Sequence, residues 1–269
     1  MSFLKRIIKS LADPRLKGID VDSDELVKVH RKIMLEKPLM NKVFKEFYDE
    51  CRNFDDKHFK GEGARIELGA GVSFFKEVYP DIISTDIKKA ENLDRVLDAQ
   101  KMDLKDNSVR AFYGLNCFHH FPEPRKFFDE LDRTLVNGGG CVLIEPYFGP
   151  IAAEMYTNLF DTEIFDKSQK EWESDSGYMQ GANQALSYIV FIRDRGIFEK
   201  EFPNLEIVEI KVMNNYLKYL VSGGLNFRAL LPNFMSHVIS LFELLLRPFN
   251  KVLGLHYAVV IRKRLKFKV

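Results

Sequence analysis

The chain has 269 residues, 46% of them hydrophobic and 29% charged, with a net charge of +1. That is enough apolar material for one full core, and so small a net charge excludes broad electrostatic binding to nucleic acid. No apolar run reaches the ~18 residues of a membrane span, no secretory signal is visible, and Cys51, Cys117 and Cys141 lack paired spacing, so free thiols in a reducing, cytoplasmic compartment are expected.

Residues 1–60 read as helical. Met1–Leu11 sets Phe3, Leu4, Ile7, Ile8 and Leu11 at helical spacing with Lys5, Arg6 and Lys9 between them. Leu26, Val29, Ile33 and Met34, then Val43, Phe44 and Phe47, recur at three- and four-residue intervals, punctuated by Asp13-Pro14 and Lys37-Pro38. This segment is expected to be an N-terminal helical extension or lid. After Gly61-Glu62-Gly63 short apolar strands alternate with helices: strands Ala64–Leu68, Ile82–Asp86, Arg95–Asp98, Arg110–Leu115 and Cys141–Glu145, and an amphipathic helix Glu123–Leu135 ending at Asn137-Gly138-Gly139-Gly140, a stop-and-turn signal. A helix near Gln180–Arg193, a strand Leu205–Met213, a mostly helical Asn215–Gly254 and a last strand His256–Lys263 complete the order. The pattern predicts an α/β domain over 61–269 with a Rossmann-like, seven-stranded, mostly parallel sheet and helices on both faces. Insertions fall at 146–204 and 214–254.

In such a sheet the ligand lies at the carboxyl ends of the strands. Gly69-Ala70-Gly71, Asp86 with Ile87, Asp98-Ala99 with Gln100, and Asn116-Cys117 all fall there. Glycines let the backbone approach a ligand without a Cβ in the way, and a carboxylate such as Asp86 can accept from both hydroxyls of a ribose. The third glycine of a dinucleotide fingerprint is replaced by Phe74, and no P-loop motif exists. A ligand with ribose and adenine but no phosphate fits these residues better.

From Gly61 to Tyr147 the chain resembles the class I S-adenosylmethionine (SAM)-dependent methyltransferases. Glu67-Leu68-Gly69-Ala70-Gly71 is similar to their first motif, and Asp86 stands where their ribose-binding acid stands. Asp98-Ala99-Gln100-Lys101-Met102-Asp103-Leu104, Asn107–Ala111, Asn116–Phe121 with Pro124, and Leu131–Gly139 resemble the later motifs. The branch it most resembles includes quinone-biosynthesis and similar small-molecule enzymes. Ser73 replaces the third glycine of the first motif, Asp103 and Asn137 replace prolines, and Arg110 replaces an aspartate. The resemblance implies SAM as cofactor, with Glu67 near its methionine end, Asp86 on the ribose, Asp98, Ala99 and Gln100 beside the adenine, and Asn116 and Cys117 on the floor.

Methyl transfer needs an in-line nucleophile, and a hydroxyl acceptor also needs a base. His120 and, second, His119 follow the fourth strand and are the candidates. If the segment is extended, at most one of them faces the site. No His, Cys, Asp or Glu cluster has metal-ligand spacing, so no metal is expected. The expected function is methyl transfer to a small or lipid-linked molecule, the alternative being a SAM-binding regulatory or scaffold protein without catalysis. Phe234, Val238, Ile239, Leu241, Phe242, Leu244, Leu245 and Leu246 wrap much of one helix. That helix suits the core, a homodimer contact, or, with Met1–Leu11 and the basic tail Arg262–Lys268, a peripheral membrane surface.

Overall fold

The computed structural model describes residues 10–20, 23–158, 163–174 and 182–265. One sheet contains β1 (Ala64–Leu68), β2 (Ile82–Asp86), β3 (Arg95–Val96), β4 (Val109–Leu115), β5 (Leu135–Pro146), β6 (Leu205–Val212) and β7 (His256–Lys263), in the order β3-β2-β1-β4-β5-β7-β6. Neighbours from β3 through β5 pair in parallel, and β7 runs antiparallel to β5 and β6. This is the expected Rossmann-like sheet. The chain runs outward from β1 to β3 and then returns to β4 on the other side of β1. The switch of direction opens a crevice at the carboxyl ends of β1 and β4.

The helices are α1 (Asp24–Glu36), α2 (Pro38–His58), α3 (Phe75–Val78), α4 (Pro124–Thr134), α5 (Pro150–Asn158), α6 (Arg195–Glu201), α7 (Tyr216–Ser222) and α8 (Ser236–Leu246), with shorter turns between some of them. Ser23 caps α1 by accepting from the Leu26 amide at 3.2 Å, and Pro38 opens α2 where its missing N–H costs nothing. Strand alternation divides the core in two. Ala111, Tyr113, Val142, Ile144, Ala258 and Val260 pack with Val43, Phe47, Tyr48 and Cys51 of α2. Phe112, Cys141, Leu143, Val259 and Ile261 belong to the opposite layer, with Phe127, Phe128 and Leu131 of α4 and Phe198 of α6. All three cysteines are buried thiols.

Arg110 ties α2 to the sheet. Asp55 near the end of α2 is fully buried and accepts from Arg65 Nε at 2.8 Å, Arg110 Nε at 2.8 Å and the Tyr113 hydroxyl at 2.7 Å. Burial alone would raise its carboxyl pKa, but the Tyr113 hydroxyl and the two guanidinium groups outweigh it and hold the pKa below the usual range.

Two expectations need correction, and of the three readings left open for the helix at 234–246 one falls away. β5 begins at Leu135 and takes in Asn137-Gly138-Gly139-Gly140, which the composition predicts as a turn. A Cβ on Gly140 would sit 2.1 Å from the Phe59 ring and 2.3 Å from the Ile261 carbonyl, so here glycine serves close packing inside a strand. The helix expected at Gln180–Arg193 is, among the described residues, a short helix Leu186–Tyr188 followed by a π turn Ile189–Arg193. α8 is not a core helix: Val238, Leu241, Phe242, Leu244 and Leu245 are exposed, and Ile239 is buried. Most of the expected Met1–Leu11 helix, and Lys266–Lys268 of the basic tail, lie outside the described residues. No helix among the described residues is long and apolar enough to cross a membrane.

Candidate active site

The crevice is a cavity of about 620 Å³ whose walls include every cofactor residue expected from the sequence: Glu67, Gly69, Ala70, Gly71, Asp86, Ile87, Asp98, Ala99, Gln100, Asn116 and Cys117. A second cavity of about 420 Å³, at Asp106, Asp132, Arg133 and Lys263, shares none of them.

The turn after β1 is built by contact. Gly69 has φ +60° and Gly71 φ +47°, the left-handed region that glycine enters without strain. A Cβ on Gly69 would lie 2.6 Å from the Cys117 Cβ, so the β1 turn and the segment after β4 meet through a missing side chain. Gly69→Ala is expected to cost about 1–2 kcal/mol from backbone strain, with more from the clash, and to close part of the cavity. Thermal unfolding and SAM titration of the same sample check both effects.

Asp86 is held by backbone donors. Its Oδ2 accepts from the Gly71 amide and its Oδ1 from the Lys88 amide, both at 3.0 Å. A carboxylate has about four lone-pair sites, so acceptor capacity is left for a ligand. Asp98 Oδ1 accepts from the Gln100 amide at 2.8 Å, and Gln100 Oε1 accepts from the Glu123 amide at 2.6 Å, which leaves the Gln100 backbone beside the cavity. Glu67 is fully buried at the end of β1 and accepts from Ser84 Oγ at 2.9 Å. Burial pushes its carboxyl up to about 7, against the pull of Ser73 and Ser84. Ser73 Oγ accepts from the Phe75 amide at 3.1 Å, a local bond that fixes the turn leading into α3.

Asn116 ends β4 with φ +49°, a conformation uncommon outside glycine. Its Oδ1 is buried and has no hydrogen-bond partner, and the residue borders the cavity. An orphaned buried acceptor is costly.

The two histidines separate in role. Phe118–His120 is a 3-10 turn rather than an extended segment, so both rings lie on one side, 4.2 Å apart. His120 borders the cavity. His119 is enclosed: its Nδ1 meets Glu145 Oε2 at 2.6 Å and its Nε2 meets Glu163 Oε2 at 3.2 Å. Burial would lower its pKa, but the two carboxylates outweigh this and raise it to about 10. Glu145 Oε1 also accepts from the Cys117 and Phe118 amides, at 3.0 and 2.9 Å, and so fixes the floor of the cavity. Glu163 Oε1 lies 3.9 Å from His120 Nε2.

Sequence reasoning missed Glu163, which comes from the insertion after α5 and shares no spacing with the histidine pair. His119, His120 and Glu163 bring donor atoms within 4.8 Å of one another, a set able to hold a metal ion that the linear spacing did not show. It also missed the near wall, formed by Ser23, Leu26, Val27 and His30 at α1, Phe44 of α2, and Leu225. The apolar spacing of Leu26 was visible, but not that it faces a cavity.

Residues 68–143 match the family model of a methyltransferase domain. That segment holds the turn, Asp86, Asp98 and the Asn116–His120 floor on a Rossmann-like sheet. The match is to a methyltransferase domain and covers less than a third of the chain. Among solved structures the chain is similar to phosphoethanolamine N-methyltransferase 2 of Haemonchus contortus in complex with S-adenosyl-L-methionine, with 11% identity, 94% of this chain and 59% of that one covered, and a TM-score of 0.49. It is also similar to geranyl diphosphate C-methyltransferase of Streptomyces coelicolor A3(2), with 12% identity, 94% and 89% covered and a TM-score of 0.46. A SAM-dependent methyltransferase of Archaeoglobus fulgidus gives 14% identity, 82% and 94% covered and a TM-score of 0.47. This chain thus spans somewhat over half the length of the Haemonchus protein. No curated protein matches the chain.

Proposed function

We propose that this protein methylates a hydroxyl of a small or lipid-linked molecule, with His120 as the base. The observation that carries the reading is the placement of His120 on the cavity wall, beside the Asn116 floor and with Glu163 behind it. When bound, SAM supplies a methyl group on a sulfonium, already electrophilic. The residues present fit that group: a glycine cradle that a Cβ would obstruct, a carboxylate with acceptor capacity left, and an orphaned acceptor at Asn116. Asp86 would accept from the ribose hydroxyls. Asp98, with the Ala99 and Gln100 backbone, would border the adenine, and Glu67, Asn116 and Cys117 would line the methionine side.

His120 would take the acceptor proton as the nucleophile attacks, and Glu163 would stabilise the imidazolium that forms. His119 touches no reacting atom. Its charge holds Glu163 from one side while Glu145 holds it from the other, so it is a positioning residue. Leu26, Val27, Phe44 and Leu225 give the cavity an apolar wall suited to a greasy acceptor. In this reading residues 1–60 act as the lid over a core domain at 61–269.

His120→Ala is expected to lower kcat by about 100-fold or more, the usual yield of a positioned base, with SAM affinity changed little. Turnover of labelled SAM with fractionated cell lipids and small-molecule extracts, together with SAM titration, checks this. Equal turnover by the variant would remove His120 as base. SAM binding without turnover on any fraction would favour a regulatory protein.

A further inference from the structure

The structure assigns a second working surface: we infer that α8 and its flanks dock on an anionic lipid bilayer. The inference extends the lipid-linked reading of the acceptor and rests on it for the route to the cavity.

α8 is turned the wrong way round for a surface helix. Such a helix ordinarily buries its apolar stripe and shows polar residues to water. Here Val238, Leu241, Phe242, Leu244 and Leu245 are exposed, whereas the helix's one acid, Glu243, is buried. Glu243 Oε2 lies 2.6 Å from Lys218 Nζ, and its Oε1 accepts from the Lys218 amide at 2.8 Å. Lys218 also reaches Glu46 of α2 at 2.7 Å. These bonds lock the roll of the helix with its apolar side outward. The face continues through Phe234, 81% exposed, on one side and Phe249 and Val252 on the other.

Charge selects the occupant. From residue 227 to residue 254 the exposed charged side chains are Arg228, Arg247 and Lys251, and Glu243 is the only acid. An apolar segment whose own exposed charges are all basic complements an anionic leaflet, where the rings and leucines enter the headgroup boundary. A two-fold contact between copies would set the same basic charges against one another.

Position links the surface to the chemistry. Leu225 lines the cavity, and five residues later Leu230 is exposed at the start of the apolar face. The segment between them is fixed: the Asp13 amide donates to the Asn226 carbonyl at 2.9 Å, and the Arg228 and Leu230 amides donate to the Leu11 and Val221 carbonyls at 2.8 Å. An amphiphilic acceptor can keep its apolar tail in the bilayer while its polar end follows this segment to the cavity.

The test is sedimentation of the full chain with vesicles of phosphatidylcholine alone, or of equal parts phosphatidylcholine and phosphatidylglycerol, with SAM titration on the same samples. The chain is expected to sediment with the mixed vesicles. Leu241→Asp with Leu245→Asp should abolish sedimentation and leave SAM affinity unchanged. Arg247→Gln with Lys251→Gln should weaken it about 30-fold on the mixed vesicles, from ~1 kcal/mol per basic residue near an anionic surface. A chain that stays in solution with both vesicles, or an aspartate variant that sediments as well as the parent, overturns the proposal. So does a dimer, by light scattering, that the aspartate variant converts to monomer, since a second copy would then be the occupant. Failure to bind SAM with vesicle binding intact would overturn the functional reading and leave the docking surface standing.

Discussion

Asp86→Ala is expected to weaken SAM binding about 100-fold. Two ribose hydroxyls donating to a carboxylate are worth about 1.5 kcal/mol each at the low end for charged acceptors, and 1.4 kcal/mol is a factor of ten. The substitution also removes the acceptor for the Gly71 and Lys88 amides, so the glycine turn loses its brace. Asp86→Asn keeps one oxygen and is expected to lose about 10-fold, from one weakened bond. Isothermal titration with SAM checks both variants. Unchanged affinity in the alanine variant would take Asp86 out of the site and leave the ribose without a partner on β2.

The second large effect concerns stability. Asp55→Ala leaves Arg65, Arg110 and the Tyr113 hydroxyl facing a fully buried gap. Removing one partner of a buried ion pair costs about 3–5 kcal/mol, a large share of the 5–15 kcal/mol that holds a typical domain. Denaturant unfolding is expected to show that loss, with SAM affinity retained wherever the variant folds. The same carboxylate gives acid sensitivity. Its folded pKa lies below the unfolded value of about 3.9, so its contribution is present in full above that value. It fades as pH falls from there through the folded pKa. The alanine variant should therefore show a shallower decline in stability below about pH 4. A loss under 1 kcal/mol would mean that the network is not what joins α2 to the sheet.

The crevice and its lining residues were legible because they rest on local rules. The strand period of β1, the Gly69-Ala70-Gly71 turn and the acid at the end of β2 are each written within a few residues, and the sheet topology brings them together. What stayed hidden depends on which way a helix faces or on residues far apart in the chain. An apolar stripe on α1 does not say that Leu26 and Val27 meet a cavity while Ile33 and Met34 meet the core. The outward face of α8 stayed one of three readings for the same reason, since its orientation is set by Glu243 and by Lys218 from another helix. Glu163 has no motif, and its place beside His119 follows from the path of the insertion. The triple glycine before the body of β5 misled in another way: glycine signals a turn by conformational freedom, but here two of the three serve contact with Phe59, Arg110 and Ile261.

The near wall of the crevice is fastened to its floor by a few polar contacts. Arg31 of α1 donates to the Ser73 carbonyl at 2.6 Å and pairs with Glu77 at 2.9 Å, and the Tyr48 hydroxyl meets Ser73 Oγ at 2.8 Å. Any path out of the crevice between α1 and the glycine turn must first undo this latch. On the proposed function, departure of the spent cofactor along that side would be gated by a swing of the first helix, and turnover would be paced by the latch, not by the bond-making step.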